Sequence, residues 1–265
     1  MKGLLSVLKS DFHRAFLSWK VFLTMILIVF INLLSVASEQ MLSSGKKEIL
    51  YLYEITILGG SFTLLTMFLC LLPFGSAFCE DWKNQFIRPS IIRTNRSVYA
   101  WSKVITVGAS SFCLFIISNM ATIIILCIVG HPMIGEHFKE YGYELYNTTT
   151  FGQLININPF LFLFVRVIMV SVQSMFWSVF SLTLSAFFTN VFVVYSSPII
   201  AYYISINTLS LFLPPYLRFD RLLYGSVDVG GPFMSVIYIV IYFIGLVVVA
   251  GSIFDYKVKE RLNNG

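Results

Sequence analysis

From Asn158 to Leu217 the chain carries one charged residue, Arg166. A guanidinium at the centre of a membrane helix costs on the order of 2.5–3.5 kcal/mol. It must therefore snorkel to a surface, pair with an acid, or meet an anionic group on a substrate or a partner subunit. Polar side chains follow it: Ser171, Gln173, Ser174, Ser178, Ser181, Thr183 and Ser185. Ser171, Ser174, Ser178, Ser181 and Ser185 recur at spacings of three and four, so they share one helical face. Such a stripe lets membrane helices approach closely, or it lines a pathway. Tyr195, Tyr202, Tyr203 and Asn207 lie in the next apolar stretch and suit either a substrate cavity or an outer interface.

Other chemistry is sparse. His131, Glu136, His137 and Glu140 have ligand-type side chains, and they read as a solvated loop with no metal expected. "SSGKKE" at 43–48 lacks the upstream glycine and the hydroxyl residue after lysine that a phosphate-cradling loop needs. Neither GxSxG nor HExxH occurs. The chain is therefore not expected to be an enzyme, nor to bind a cofactor of its own.

The densest charge is "CEDWKNQFIRPSIIRTNRSVYAWSK", residues 79–103, with five Lys or Arg. Trp82 and Phe86 stand at i and i+4, which predicts one shared face on a short helix beginning at Glu80-Asp81. Pro89 is expected to end it. Tyr99, Trp101 and Lys103 suit an inner membrane interface.

These residues need elements to hold them, and composition says which. Of 265 residues, 57% are hydrophobic and 12% charged. Soluble domains carry about 25% charged residues. The reading is an all-α integral membrane protein, a single domain over 1–265, with no nucleic-acid partner. Its net charge of +5 sits in loops. Runs of about 20 apolar residues predict spans near 20–38, 55–79, 104–129, 160–188, 191–212 and 233–254. The uncharged stretch 167–217 is twice one span, and Thr189-Asn190 best divides it. Pro198 then falls in the second turn of the fifth helix, where a membrane helix tolerates it. Residues 1–19, with Leu4, Leu5, Leu8, Phe12, Ala15, Phe16 and Trp19 at three/four spacing, predict an amphipathic interfacial helix rather than a cleaved leader. In "LPPYLRFDRLLYG", Pro214 and Pro215 break the fifth helix, and the leucines beside Arg218 and Arg221 predict a short interfacial helix. The four cysteines show no metal or redox spacing.

Sidedness follows from the cations. The N-terminal segment, the 79–103 loop and the end of the chain hold twelve Lys or Arg, against five in the other loops. The positive-inside rule places both termini and that loop in the cytoplasm.

An amphipathic first helix, six spans, and a loop carrying Glu80, Ile91-Ile92, Arg93, Arg96, Tyr99 and Lys103 in that order resemble the ABC-2 type permeases of ABC exporters. "LSAFFTN" at 184–190 resembles the family's fourth-to-fifth turn, and "LPPYL" its outer re-entrant segment. Many members carry Gly-Thr where this chain has Asn84-Gln85. The resemblance implies a multi-pass plasma-membrane protein, of bacterial type, pairing with an identical or homologous second permease. It implies a separate ABC ATPase that binds ATP and docks on a coupling helix, with Glu80, Asp81, Trp82, Phe86, Ile91, Arg93 and Arg96 carrying the coupling. Arg166, Gln173, Ser174, Ser178, Tyr195, Tyr202 and Asn207 become candidates for the pathway of an amphipathic peptide, lipid or drug. The competing readings are a secondary transporter or channel without an ATPase, which usually places acids in mid-membrane, and a membrane enzyme.

Overall fold

Two asparagines set where two long helices begin. Asn158 accepts from the Phe160 amide at 2.9 Å with Pro159 at the first helical position, and Asn190 accepts from the Phe192 amide at 3.0 Å. Each satisfies a backbone donor that a helix start leaves open. The structure, a computed structural model, describes residues 2–42, 48–58, 65, 68–87, 95–135 and 149–264. All regular structure among them is helical.

The elements are α1 (Lys2–Phe16), α2 (Trp19–Leu42), α3 (Ile49–Leu58), α4 (Ala77–Lys83), α5 (Arg96–Ile128), α6 (Pro159–Ser185), α7 (Val191–Ile204), α8 (Phe219–Tyr224) and α9 (Pro232–Asn264). A π-helical turn, Ser205–Leu209, and Ser210–Phe212 prolong α7. Five stretches among the described residues are long and apolar enough to cross a membrane: Trp19–Met41, Arg96–Ile128, Pro159–Ser185, Val191–Phe212 and Pro232–Asn263. The molecule is a helical, multi-pass membrane protein.

The centre is α6. Within its apolar stretch 61% of residues are buried inside the chain, against 17% for Val191–Phe212. It packs chiefly on α5 and α9. The serine stripe explains the close approach to the segment before α4. Ser178 Oγ donates to the Cys70 carbonyl at 3.2 Å, and a Cβ on Gly75 would lie 3.3 Å from Ser181 Oγ. Ser181 Oγ also reaches the Val194 carbonyl at 3.0 Å. Pro198 has no N–H for that carbonyl, so hydroxyls of Ser181 and Ser197 take the missing donor's place.

Several expected boundaries move. The predicted second span, 55–79, lies partly outside the described residues. Where it is described, α3 already starts at Ile49, and residues 72–76 form a turn at Pro73-Phe74-Gly75. The helix therefore does not run to Cys79. The third helix begins at Arg96 instead of 104, which carries Tyr99 and Lys103 into the buried body rather than leaving them at an interface. The last helix runs to Asn264, ten residues past the predicted end. The fourth-to-fifth turn and the in-helix Pro198 fall where the sequence places them.

The short helix also ends early. α4 stops at Lys83, not before Pro89, because Gln85 adopts φ 58°. The Phe86 amide then donates to the Asp81 carbonyl at 3.0 Å and the Gln85 amide to Trp82 at 3.2 Å. This pair of bonds is a Schellman ending. Phe86 lies beyond it, so Trp82 and Phe86 do not share a helical face.

Candidate functional site

At the end of the bundle where α6 finishes, three helices meet around one ammonium. α1 alternates apolar and charged residues, and its buried side carries Asp11, 5% exposed. α4 contributes Asp81, 3% exposed, and α5 contributes Lys103, 1% exposed. Lys103 Nζ lies 2.9 Å from Asp11 Oδ1 and 2.9 Å from Asp81 Oδ2. Ser102 Oγ donates to Asp11 at 3.1 Å and the Tyr99 hydroxyl to Asp81 at 2.9 Å. Arg14, half-exposed, adds a 3.5 Å contact to Asp81. Phe74 and Tyr99 rings flank the ammonium at 5.3 and 5.6 Å. Buried charges persist only when paired and hydrogen-bonded, and here each is. The cluster ties α1, α4 and α5 together over sequence separations of up to 92 residues.

Glu80 faces the other way. It pairs with Lys20 at 2.9 Å, and both side chains are about half-exposed. Ser76 Oγ donates to Glu80 at 3.3 Å and meets the Tyr195 hydroxyl at 2.8 Å. Tyr195 also packs edge-on against Phe68 at 5.9 Å. Tyr195 thus belongs with α4, not with the other tyrosines. Trp82 lies under the Arg261 guanidinium at 5.1 Å, Phe86 is 56% exposed, and Arg96 bonds to Asn263. Ile91 and Arg93 lie outside the described residues.

The opposite end is organised by Arg166. Its side chain and that of Glu54 are both fully buried, with Nη2 and Oε2 3.0 Å apart. Nη1 donates to the Leu223 carbonyl at 3.2 Å, and the guanidinium sits 5.9 Å from the Phe151 ring centre. Of the alternatives open for Arg166, the ion pair is the one formed. Its acid stands within α3 and is fully buried in the protein. Glu54 Oε1 and Arg166 Nε have no hydrogen-bond partner among the described residues.

The remaining pathway candidates do not converge. Ser174 donates to the Ser171 carbonyl at 2.8 Å and Ser178 to Cys70; both are buried in helix packing. Gln173 reaches the Leu222 carbonyl at 3.4 Å. Tyr202 packs edge-on against Trp177 at 6.1 Å. Asn207 is exposed on the π turn and bonds back to the Tyr203 carbonyl at 3.0 Å. Of the loop cluster, His131 contacts Gln40 at 3.3 Å, and Glu136, His137 and Glu140 lie outside the described residues. No group of three metal-ligating side chains occurs among the described residues.

Reading residues one at a time missed Asp11, Glu54 as a partner, Ser76 and Arg261. One signal was present for Asp11: it is the lone acid in α1, four residues before Ala15 on the apolar side.

These elements define the class: an all-helical protein embedded in a membrane through several spans. Compared with protein-family models, curated proteins and solved structures, the chain matches none.

Proposed function

We propose that this chain is the permease subunit of an ATP-driven ABC exporter, acting with a second permease and a separate ATPase. One observation carries the reading. A short helix, α4, lies between two apolar segments with one side packed into the body, and its Asp81 is locked by Lys103 to the base of a long helix and to α1. A partner pushing on α4 would therefore move a rigid group and not a loose loop. The ammonium and carboxylates act as a fixed joint, and α5 conveys the displacement through the bundle. In this reading α1, α4 and both termini face the cytoplasm of a bacterial cell, the protein has six spans in the plasma membrane, and ATP is bound by the partner. The cation distribution supports that orientation. The cargo is an amphipathic peptide, lipid or drug, which the aromatic-rich interior around Trp177 and Phe243 suits.

A second reading is favoured by Glu54 and Arg166. A buried acid paired to an arginine, with its second oxygen lacking a partner among the described residues, is the kind of group that ion-coupled carriers use. Purification in mild detergent from cells that keep native partners separates the two. Co-purification of an ATPase supports the exporter. Recovery without any ATPase, together with ion-gradient-driven uptake by the isolated chain, supports the carrier instead.

A further inference from the structure

We propose that the end of α9 is a strut that positions α4, and that Arg261 is its positioning residue. α9 has 33 residues, about 50 Å at 1.5 Å per residue. About 20 residues cross a bilayer, and Pro232–Phe254 suffices. The remaining turns, 255–264, carry five charges in ten residues and cannot be there to span.

Their packing is one-sided. Phe254 and Val258 are fully buried in the apolar cluster that also holds Phe78, Ile87 and Tyr99, and Leu262 packs against it. Phe254 meets Phe78 of α4 edge-on at 5.5 Å. On the same face, Arg261 makes two contacts at once. Its guanidinium lies over the Trp82 ring, and Nη2 donates to the Phe187 carbonyl at 3.2 Å. Lys257 Nζ lies 5.2 Å from the centre of the Phe187 ring. Lys259 and Glu260 are engaged within the helix itself, at 2.6 Å to Asp255 and 2.8 Å to Lys257.

A planar guanidinium can stack on an indole while its fork donates elsewhere. Arg261 thereby joins α4 to the turn between α6 and α7. Asn263, on another side of α9, bonds to Arg96 at the start of α5. α4 is thus held from two sides: Asp81 fixes it to α1 and α5, and Trp82 fixes it to α9. The strut deepens the exporter reading, since a coupling helix must keep its orientation under load, but its test needs no ATPase.

The experiment is amide hydrogen exchange on the full chain in lipid nanodiscs, read in peptides covering 77–87. Arg261→Ala is expected to speed exchange there by roughly 3- to 10-fold, while peptides from the middle of α5 stay unchanged. Arg261→Lys, which keeps a cation over the ring, is expected to restore most of the protection. Should Arg261→Ala not fold, Trp82→Leu removes the contact from the other side and should give the same acceleration. Unchanged exchange in 77–87, or equal acceleration with lysine and alanine, would overturn the strut. Recovery of no ATPase alongside the expected exchange pattern would remove the exporter reading and leave the strut standing.

Discussion

Lys103 Nζ stands 2.9 Å from Asp81 Oδ2, although both side chains are almost wholly buried. The pair joins a residue of α5 to one of α4, and Asp11 completes it from α1. Removing one member of such a cluster leaves a buried charge without its partner, which costs about 3–5 kcal/mol. Lys103→Met is expected to lower stability by about that amount in thermal unfolding of the detergent-solubilised protein. Adding Asp11→Asn and Asp81→Asn to it should recover much of the loss, because no uncompensated charge then stays buried. A triple variant as unstable as the summed single ones would contradict a coupled cluster.

Glu54 and Arg166 make the same argument at the other end. Both side chains are completely inaccessible. Arg166→Met alone should destabilise by about 3–5 kcal/mol, and Arg166→Met with Glu54→Leu by distinctly less. The comparison is made by unfolding temperature and by yield of inserted protein. Equal losses would show that the Leu223 carbonyl and Phe151 contacts, not the ion pair, dominate at Arg166.

Gly75 turns the chain into α4. A Cβ there would sit 2.7 Å from the Leu71 carbonyl oxygen, a backbone atom held by the bond from the Gly75 amide. Gly75→Ala is expected to cost about 1–3 kcal/mol of overpacking. Gly108→Ala comes closest to the flexible Met175 side chain at 3.1 Å, with Val179 Cγ2 at an ordinary 3.5 Å, and should cost clearly less. Unfolding temperatures of the two variants, measured side by side, test the order.

Gln85 closes α4 in a left-handed conformation. A side chain there is strained by about 1–2 kcal/mol, and glycine relieves most of that at some entropic cost. Gln85→Gly should therefore raise stability slightly and slow exchange of the Phe86 amide. Faster exchange would mean that the Schellman bonds do not hold the end of α4.

The Cys79 thiol is pushed above its ordinary range by burial, and the nearby Arg261 only partly offsets this. Its reactive thiolate is therefore scarce at neutral pH. Maleimide modification of Cys79 should be slow there, and the midpoint of its pH–rate curve should lie above the ~8.5 of a free thiol. A midpoint at or below that pH would show that burial does not hold the thiol protonated.

Much of the helical framework was legible because local signals and burial agree. Asn190 ends one apolar run and caps the next, so the fourth-to-fifth turn could be placed from composition alone. Pro198 was acceptable inside a helix because hydroxyls on α6 and α7 supply the donor it lacks. The charge partners were not legible. Asp11 and Lys103 are 92 positions apart and Glu54 and Arg166 are 112 apart, and a charged residue on an amphipathic helix reads as surface until its neighbour is known. The ending of α4 was missed for a different reason. Gln85 bears a side chain in a conformation that usually selects glycine, so the proline further on looked like the stop. The extent of α9 was hidden by its charges, which mark the edge of an apolar run but not the end of a helix.

The Ser76 hydroxyl lies between the Glu80 carboxylate and the Tyr195 hydroxyl, so the Glu80 side of α4 and the first turns of α7 share a single oxygen. A tilt of α4 either carries α7 with it or parts that bond. The joint at Asp81 is stiff and the link through Ser76 is weak. Among the described residues, one hydroxyl is thus all that ties this side of α4 to α7, whereas Asp81 is held by two cations and a tyrosine hydroxyl.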